Sequence, residues 1–235
     1  MSIFYFLIFT LIFLVIKLAS KFIKNEEVSS ALNFFATPLI VISLLPLIWF
    51  GIYLGPTVPL MLIIFALTLS VVGDVYNSMP NNSHFIWGLV YFAIAHIFYV
   101  IAFISIINFS WIVFWTLLPV AIEIIILLTF FYMKWRKRLD KIMAIAVPCY
   151  MIIVGFIMLI TIGVHIGNPG NGTFMLMLGG ILFFASDLTI GISTFGCKTP
   201  TTELATKLAG FIVWITYVAA QVLFAVAAAT GLFSK

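Results

Sequence analysis

The sequence predicts an all-α fold: a polytopic membrane protein with a bundle of about eight transmembrane helices. Of its 235 residues, 65% are hydrophobic and only 8% are charged, and the mean hydropathy is +1.30. A soluble domain carries about 25% charged residues, so this composition excludes a water-soluble fold. The length suits one integral membrane domain, residues 1–235, and leaves no room for a separate soluble domain.

The apolar residues form runs of the roughly 20 residues that a membrane helix needs. The loops between them are short and contain Gly, Pro and Asn clusters, so successive helices are expected to be antiparallel neighbours. The first run has no basic start and no small-residue cleavage pattern, which favours a helix over a signal peptide. The predicted helices are 3–20, 32–50, 58–78, 84–107, 111–133, 142–166, 173–195 and 204–232.

Loop charge predicts the orientation. Basic residues follow the first predicted helix, the fifth (134–141) and the seventh, whereas the second, fourth and sixth loops carry no Lys or Arg. The positive-inside rule therefore places the odd-numbered loops in the cytoplasm and both termini on the opposite side. The net charge of +4 reflects loop bases facing lipid headgroups, so bilayer lipid is an expected partner and nucleic acid is not. Cys149 and Cys197 show no ligand-like spacing, and neither a disulfide framework nor a metal site is predicted.

Two aspartates lie inside apolar runs, and each is close to a serine: Ser70 precedes Asp74, and Ser186 precedes Asp187. Carboxylates are costly at membrane depth, so both are candidate functional residues. They lie about four and about eight residues from the predicted cytoplasmic ends of their helices, or about 6 Å and about 12 Å. We therefore predict one shared cavity, with the two carboxyl groups within about 10 Å. The alternative is that each only ties helices together by hydrogen bonds.

Two carboxyl groups whose surroundings favour different protonation states act as a general acid and as a base or electrostatic stabiliser. The fourth helix adds His96 and Tyr99 on the face that also carries Gly88 and Phe92. An intramembrane histidine either lines a site or serves as an interhelical hydrogen-bonding group, and the sequence leaves both possibilities open.

Four further polar residues at membrane depth are candidate site-lining groups. They are expected either to line the same cavity or to make interhelical hydrogen bonds. They are Glu123 on the fifth helix, Tyr150 after Pro148 on the sixth, and Tyr217 and Gln221 on one face of the last.

Three segments occur in this order: Ser70-Val71-Val72-Gly73-Asp74, Gly88 to Tyr99 (Gly-x3-Phe-x2-Ala-His-x2-Tyr) and Gly179 to Asp187. Together they resemble the YhhN-like family of membrane proteins, which includes lysoplasmalogenase. Pro148-Cys149-Tyr150 and the spacing of Tyr217 and Gln221 give weaker support. Many members have a lysine before the proline that opens the second helix, whereas this chain has Thr37 before Pro38.

The resemblance implies hydrolysis of the vinyl ether of a lysoplasmalogen to a fatty aldehyde and a glycerophospho-alcohol, without a cofactor. Such ethers hydrolyse through protonation and an oxocarbenium ion, which calls for one carboxylic acid and one carboxylate. Asp187, the deeper residue, is the candidate acid because desolvation favours the neutral carboxyl, and Asp74 is the candidate base. The reverse assignment stays open, as does a homo-oligomer. In a eukaryote, the resemblance implies the endoplasmic reticulum membrane.

Other functions fit part of the pattern. A transporter or channel also uses carboxylates at membrane depth, but the chain has no evident inverted repeat or broken half-helices. An intramembrane aspartyl protease has Gly-x-Gly-Asp, whereas Val71 stands at the first glycine position here and Pro-Ala-Leu is missing. A lipid-binding protein or receptor without catalysis is the remaining alternative.

Overall fold

The computed structural model describes residues 3–20, 37–45, 55, 57–79, 82–196 and 203–233, and all regular structure among them is helical. The second helix, α2, is described only in part and is helical over residues 37–42. The other helices are α1 (Ile3–Ser20), α3 (Val58–Asn77), α4 (Asn82–Ile104), α5 (Trp111–Trp135), α6 (Met143–Gly167), α7 (Asn171–Gly191) and α8 (Glu203–Ala229).

Within these described ranges, six helices are long and apolar enough to cross a membrane, namely α3 to α8. The prediction of a polytopic helical membrane protein is therefore confirmed. The predicted bounds of these six helices agree with the observed ones to within four residues. Residues 32–36 and 46–50 of the second predicted helix lie outside the described residues.

Polar side chains in the preceding loops explain where two of the helices begin. Ser110 precedes α5 and its Oγ accepts the backbone N–H of Val113 at 3.3 Å. Asp140 plays the same part for α6, where Oδ1 accepts the N–H of Met143 at 2.8 Å. These side chains satisfy backbone donors that have no partner inside the first turn of a helix.

The end of the seventh helix differs from the prediction of a helix to residue 195. The α-helix ends at Gly191, and Ile192–Gly196 form a π-helical turn. A Cβ at Gly191 would lie 2.8 Å from the Trp135 ring, so only glycine admits the indole there. Arg138 Nη1 donates to the backbone oxygen of Phe195 at 2.7 Å and so fixes the turn to the loop after α5.

The chain forms two compact units: Met1–Ser105 with Phe224–Lys235, and Ile106–Leu223. In the first unit, α3 and α4 pack closely through glycines. A Cβ at Gly73 would lie 2.9 Å from the Phe92 ring, and one at Gly88 would lie 3.4 Å from the backbone oxygen of Gly73. Small residues at helix crossings in membranes allow this kind of close backbone approach.

The second unit is built on the antiparallel pair α6 and α7. The helices are in close contact at Gly180, where a Cβ would lie 2.1 Å from Thr161 Oγ1. Helix α5 is much less covered by protein: 11% of its apolar window is buried, against 44% for α6 and for α7. Its exposed side chains are largely Ile, Phe and Trp, as expected for a surface that faces lipid.

Candidate functional site

Asp74 and Ser70 lie on the buried face of α3, in the first unit. Burial recurs along this helix at Ile63, Leu67, Ser70 and Asp74, the three- and four-residue spacing of one helix face. Asp74 is 7% exposed and Ser70 is fully buried. The Ser70 hydroxyl donates to the backbone oxygen of Ala66 at 2.9 Å, so its proton takes part in a hydrogen bond within α3.

Helix α4 brings His96 and Tyr99 into the core of the same unit, where both are fully buried. His96 Nδ1 contacts the backbone oxygen of Phe92. Since a carbonyl only accepts, Nδ1 carries the proton in the neutral ring and Nε2 is the acceptor. The Tyr99 ring lies 5.6 Å from Phe103 and 5.1 Å from Phe224, so an aromatic cluster holds it in place.

In the second unit, Asp187 is bound directly by Tyr150. The Tyr150 hydroxyl donates to Asp187 Oδ2 at 2.9 Å, and the two residues are 8% and 6% exposed. They lie on α6 and α7, whose close packing at Gly180 brings the two side chains together. This hydrogen bond orients the carboxyl group through Oδ2.

Ser186, Tyr217 and Gln221 are buried in the same unit. Ser186 Oγ donates to the backbone oxygen of Val213 at 3.1 Å, which ties α7 to α8. The Tyr217 ring packs edge-on against Phe183 with centroids 5.6 Å apart. Gln221 is fully buried one turn further along α8. The serine beside each aspartate thus bonds to a backbone carbonyl rather than to the carboxylate.

Glu123 is the predicted site residue that lies on the surface. It is exposed near the middle of α5, beside the exposed side chains of Ile122 and Ile126. In its exposure Glu123 differs from the buried Tyr150–Asp187 pair of its own unit, and its role in the site stays a prediction. The proximity of Asp74 to Asp187 stays a prediction. No group of three His, Cys, Asp or Glu side chains in the described ranges is placed to hold a metal ion.

Two residues outside the predicted set shape these surroundings. Phe92 covers Gly73 next to Asp74 and binds His96 through its carbonyl oxygen. Thr161 bonds to its own helix at Ile157 and fills the space beside Gly180. Phe92 belongs to the spaced pattern on α4, but sequence reasoning assigned it no contact. Thr161 carries no sequence signal beyond a polar residue in an apolar run.

A family model described as the YhhN family matches residues 32–228. No curated protein and no solved structure matches the chain.

Proposed function

Because this chain belongs to the YhhN family, which is associated with lysoplasmalogenase activity, we propose that it hydrolyses the vinyl ether bond of lysoplasmalogens. The proposed products are a fatty aldehyde and a glycerophospho-alcohol. The observation that supports this best is the burial of Asp74 and Asp187, 7% and 6% exposed, in helices apolar enough to span a membrane. Buried carboxyl groups in such helices mark functional sites.

The chemistry needs a proton donor and an anionic partner. A carboxylic acid protonates the alkenyl carbon that is not bonded to oxygen, and this gives an oxocarbenium ion. Water adds to the cationic carbon while a carboxylate accepts its proton, and the hemiacetal collapses to the aldehyde and the alcohol. Each cycle consumes one water molecule, and the proton returns to the acid. Glycoside hydrolysis distributes the same two roles between two carboxyl groups.

In this mechanism Asp187 is the acid and Asp74 the base. Tyr150 holds Asp187 through Oδ2, so the transferable proton belongs on Oδ1. Asp74 stabilises the oxocarbenium ion and accepts a proton from water. The fixed orientation given by Tyr150 matters because proton transfer requires the donor within hydrogen-bond reach of the reacting atom.

The membrane arrangement completes the proposal. We place eight spans in the bilayer, with the odd-numbered loops in the cytoplasm and both termini opposite, because the loop bases follow the positive-inside rule. In this proposal both aspartates lie in the cytoplasmic leaflet, where the lysolipid enters from the bilayer. Bilayer lipid and the lysoplasmalogen are the proposed partners. In a eukaryotic cell, the endoplasmic reticulum membrane is the proposed location.

The test is aldehyde release by the purified protein in heavy water. Protonation at carbon predicts one deuterium on the carbon next to the aldehyde group, which immediate reduction to the alcohol preserves for mass spectrometry. A lysolipid with a saturated ether chain is the matched control, because it offers no alkene to protonate. Well-folded protein that releases no aldehyde from the vinyl ether, or aldehyde without the deuterium, would rule the mechanism out.

Replacing Tyr150 with phenylalanine is expected to lower aldehyde release by about 10- to 100-fold. The change leaves the ring in place but removes a hydrogen bond to a carboxyl group that becomes charged as it delivers its proton. Such a bond is worth about 1.5–3 kcal/mol when its partner is charged. The measurement is the initial rate beside the melting temperature. Tyr132→Phe on α5 is the matched control, since the described residues give its hydroxyl no hydrogen-bond partner. Unchanged activity in Tyr150→Phe would show that the hydroxyl does not position the acid.

A further inference from the structure

A groove between α5 and α6 is not used by the proposed chemistry. Its volume is about 200 Å³, and its walls include Leu128 and Thr129 from α5 and Met151 and Ile152 from α6. An apolar cavity of about 150 Å³ takes up one benzene molecule, so the groove has room for a segment of one acyl chain. Tyr150 does not line it. Adjacent residues point about 100° apart around a helix, so Tyr150 faces a different side of α6 from Met151.

Trp135 closes one end of the groove. Its side chain is 2% exposed, and its ring stacks on Phe131 with centroids 5.0 Å apart. Its Nε1 has no hydrogen-bond partner among the described residues. Tryptophan favours the boundary between the acyl chains and the headgroups, so this end of the groove is expected at headgroup level.

Basic residues cluster in the chain at the same end of the groove. Lys134, Arg136, Lys137 and Lys141 are exposed, and Lys137 and Lys141 make no hydrogen bond or ion pair with a described residue. Arg138 is engaged with Phe195. The only acid in this loop, Asp140, caps the first turn of α6. An excess of basic charge therefore stands beside the mouth of an apolar groove.

We propose that this groove is an accessory binding site for an anionic phospholipid, separate from the proposed active site. One acyl chain lies between α5 and α6 against Leu128 and Met151, and the phosphate headgroup lies on Lys137 and Lys141. The charge complementarity selects the ligand, because bases beside a membrane surface attract anionic lipids. A zwitterionic lipid carries its own compensating positive charge, so the same bases contribute less to its binding free energy.

Quenching of Trp135 fluorescence tests the site. The protein is reconstituted into phosphatidylcholine vesicles that contain either a brominated phosphatidylglycerol or a brominated phosphatidylcholine at the same mole fraction. The difference between wild type and Trp135→Phe isolates the Trp135 signal. We expect this signal to be quenched preferentially by the anionic lipid, by about fivefold for each contacting base at low salt. High salt should weaken the preference because it screens exposed charges.

Two variants test the two halves of the site, and each has a matched control. Lys137→Gln with Lys141→Gln should abolish the preference, whereas Lys21→Gln with Lys24→Gln, the same loss of charge elsewhere, should keep it. Leu128→Phe should fill the groove and abolish the preference, whereas Ile126→Phe, on the exposed face of α5, should keep it.

Equal quenching of the wild type by both lipids would overturn the proposal, as would a preference that survives in either test variant or disappears in either control. Helical content by circular dichroism accompanies each variant. If a test variant does not fold, the salt dependence in the wild type decides between the two outcomes. Aldehyde release is not used as a readout, so a failure of this site is distinguishable from a failure of the hydrolase proposal.

Discussion

Replacing Asp187 with asparagine is expected to lower aldehyde release by about 10²–10⁴-fold, the usual contribution of a general acid or base. Asparagine has nearly the same shape and still accepts the hydrogen bond from Tyr150, but it has no acidic proton to deliver and cannot carry a negative charge. Asp74→Asn should have an effect of similar size. The measurement is the single-turnover rate of aldehyde formation with purified protein in excess over the lysoplasmalogen.

Asp140→Asn is the matched control for both substitutions. Asp140 is exposed in the loop after α5 and accepts a backbone N–H, a role that asparagine also performs at a helix start. Groups that act as one unit are strongly non-additive, so the double variant Asp74→Asn/Asp187→Asn should be about as inactive as the slower single variant. Full activity in either single variant would remove that aspartate from the catalytic pair.

Gly180→Ala is expected to lower the free energy of unfolding by about 1–3 kcal/mol, the usual effect of overpacking. The new methyl group would lie 2.1 Å from Thr161 Oγ1 and 3.0 Å from Thr161 Cβ, so α6 and α7 must move apart. Their separation would also lengthen the hydrogen bond between Tyr150 and Asp187. Thermal or denaturant unfolding in detergent micelles measures the effect.

A second substitution separates steric overlap from other causes. Thr161→Ala removes two of the three close contacts, Oγ1 at 2.1 Å and Cγ2 at 3.1 Å. It should restore much of the lost stability in Gly180→Ala/Thr161→Ala, with a coupling energy of about 0.5–3 kcal/mol. Gly210→Ala on α8 is the matched control, because a Cβ there meets nothing within 4 Å. It should leave stability unchanged or raise it slightly, since alanine favours helix over glycine. If the two substitutions changed the free energy of unfolding in a strictly additive way, steric overlap between the two side chains would be excluded.

The helices were predictable because each apolar run had to satisfy its backbone hydrogen bonds internally. Asp74 and Asp187 were recognisable as candidate functional residues because each lies inside such a run. The hydrogen-bond partner of Asp187 could not be predicted, because Tyr150 lies 37 residues earlier on a different helix. Sequence spacing shows which residues share a face on one helix, but not which face of the next helix it meets.

Glu123 and the end of α7 show the same limit. Glu123 interrupts an apolar run as the aspartates do, yet it lies on the exposed side of its helix. The apolar residues surround α5 so evenly that no stripe in the sequence marks the face toward the protein. The π-helical turn at Ile192–Gly196 packs against Trp135, a residue from another helix, and the local sequence does not reveal that contact.

The pairing of Tyr150 with Asp187 also bears on how the protein is made. Helix α6 leaves the ribosome before α7, and only residues 168–170 separate the two helices. A lone aspartate in a membrane helix opposes insertion, with a cost that reaches about 2.5–3.5 kcal/mol at the helix centre. When α6 and α7 enter the bilayer as one hairpin, the Tyr150 hydroxyl is already present on α6 to donate its hydrogen bond to Asp187. The same hydrogen bond that orients the carboxyl group in the folded protein thus eases the insertion of the helix that carries it.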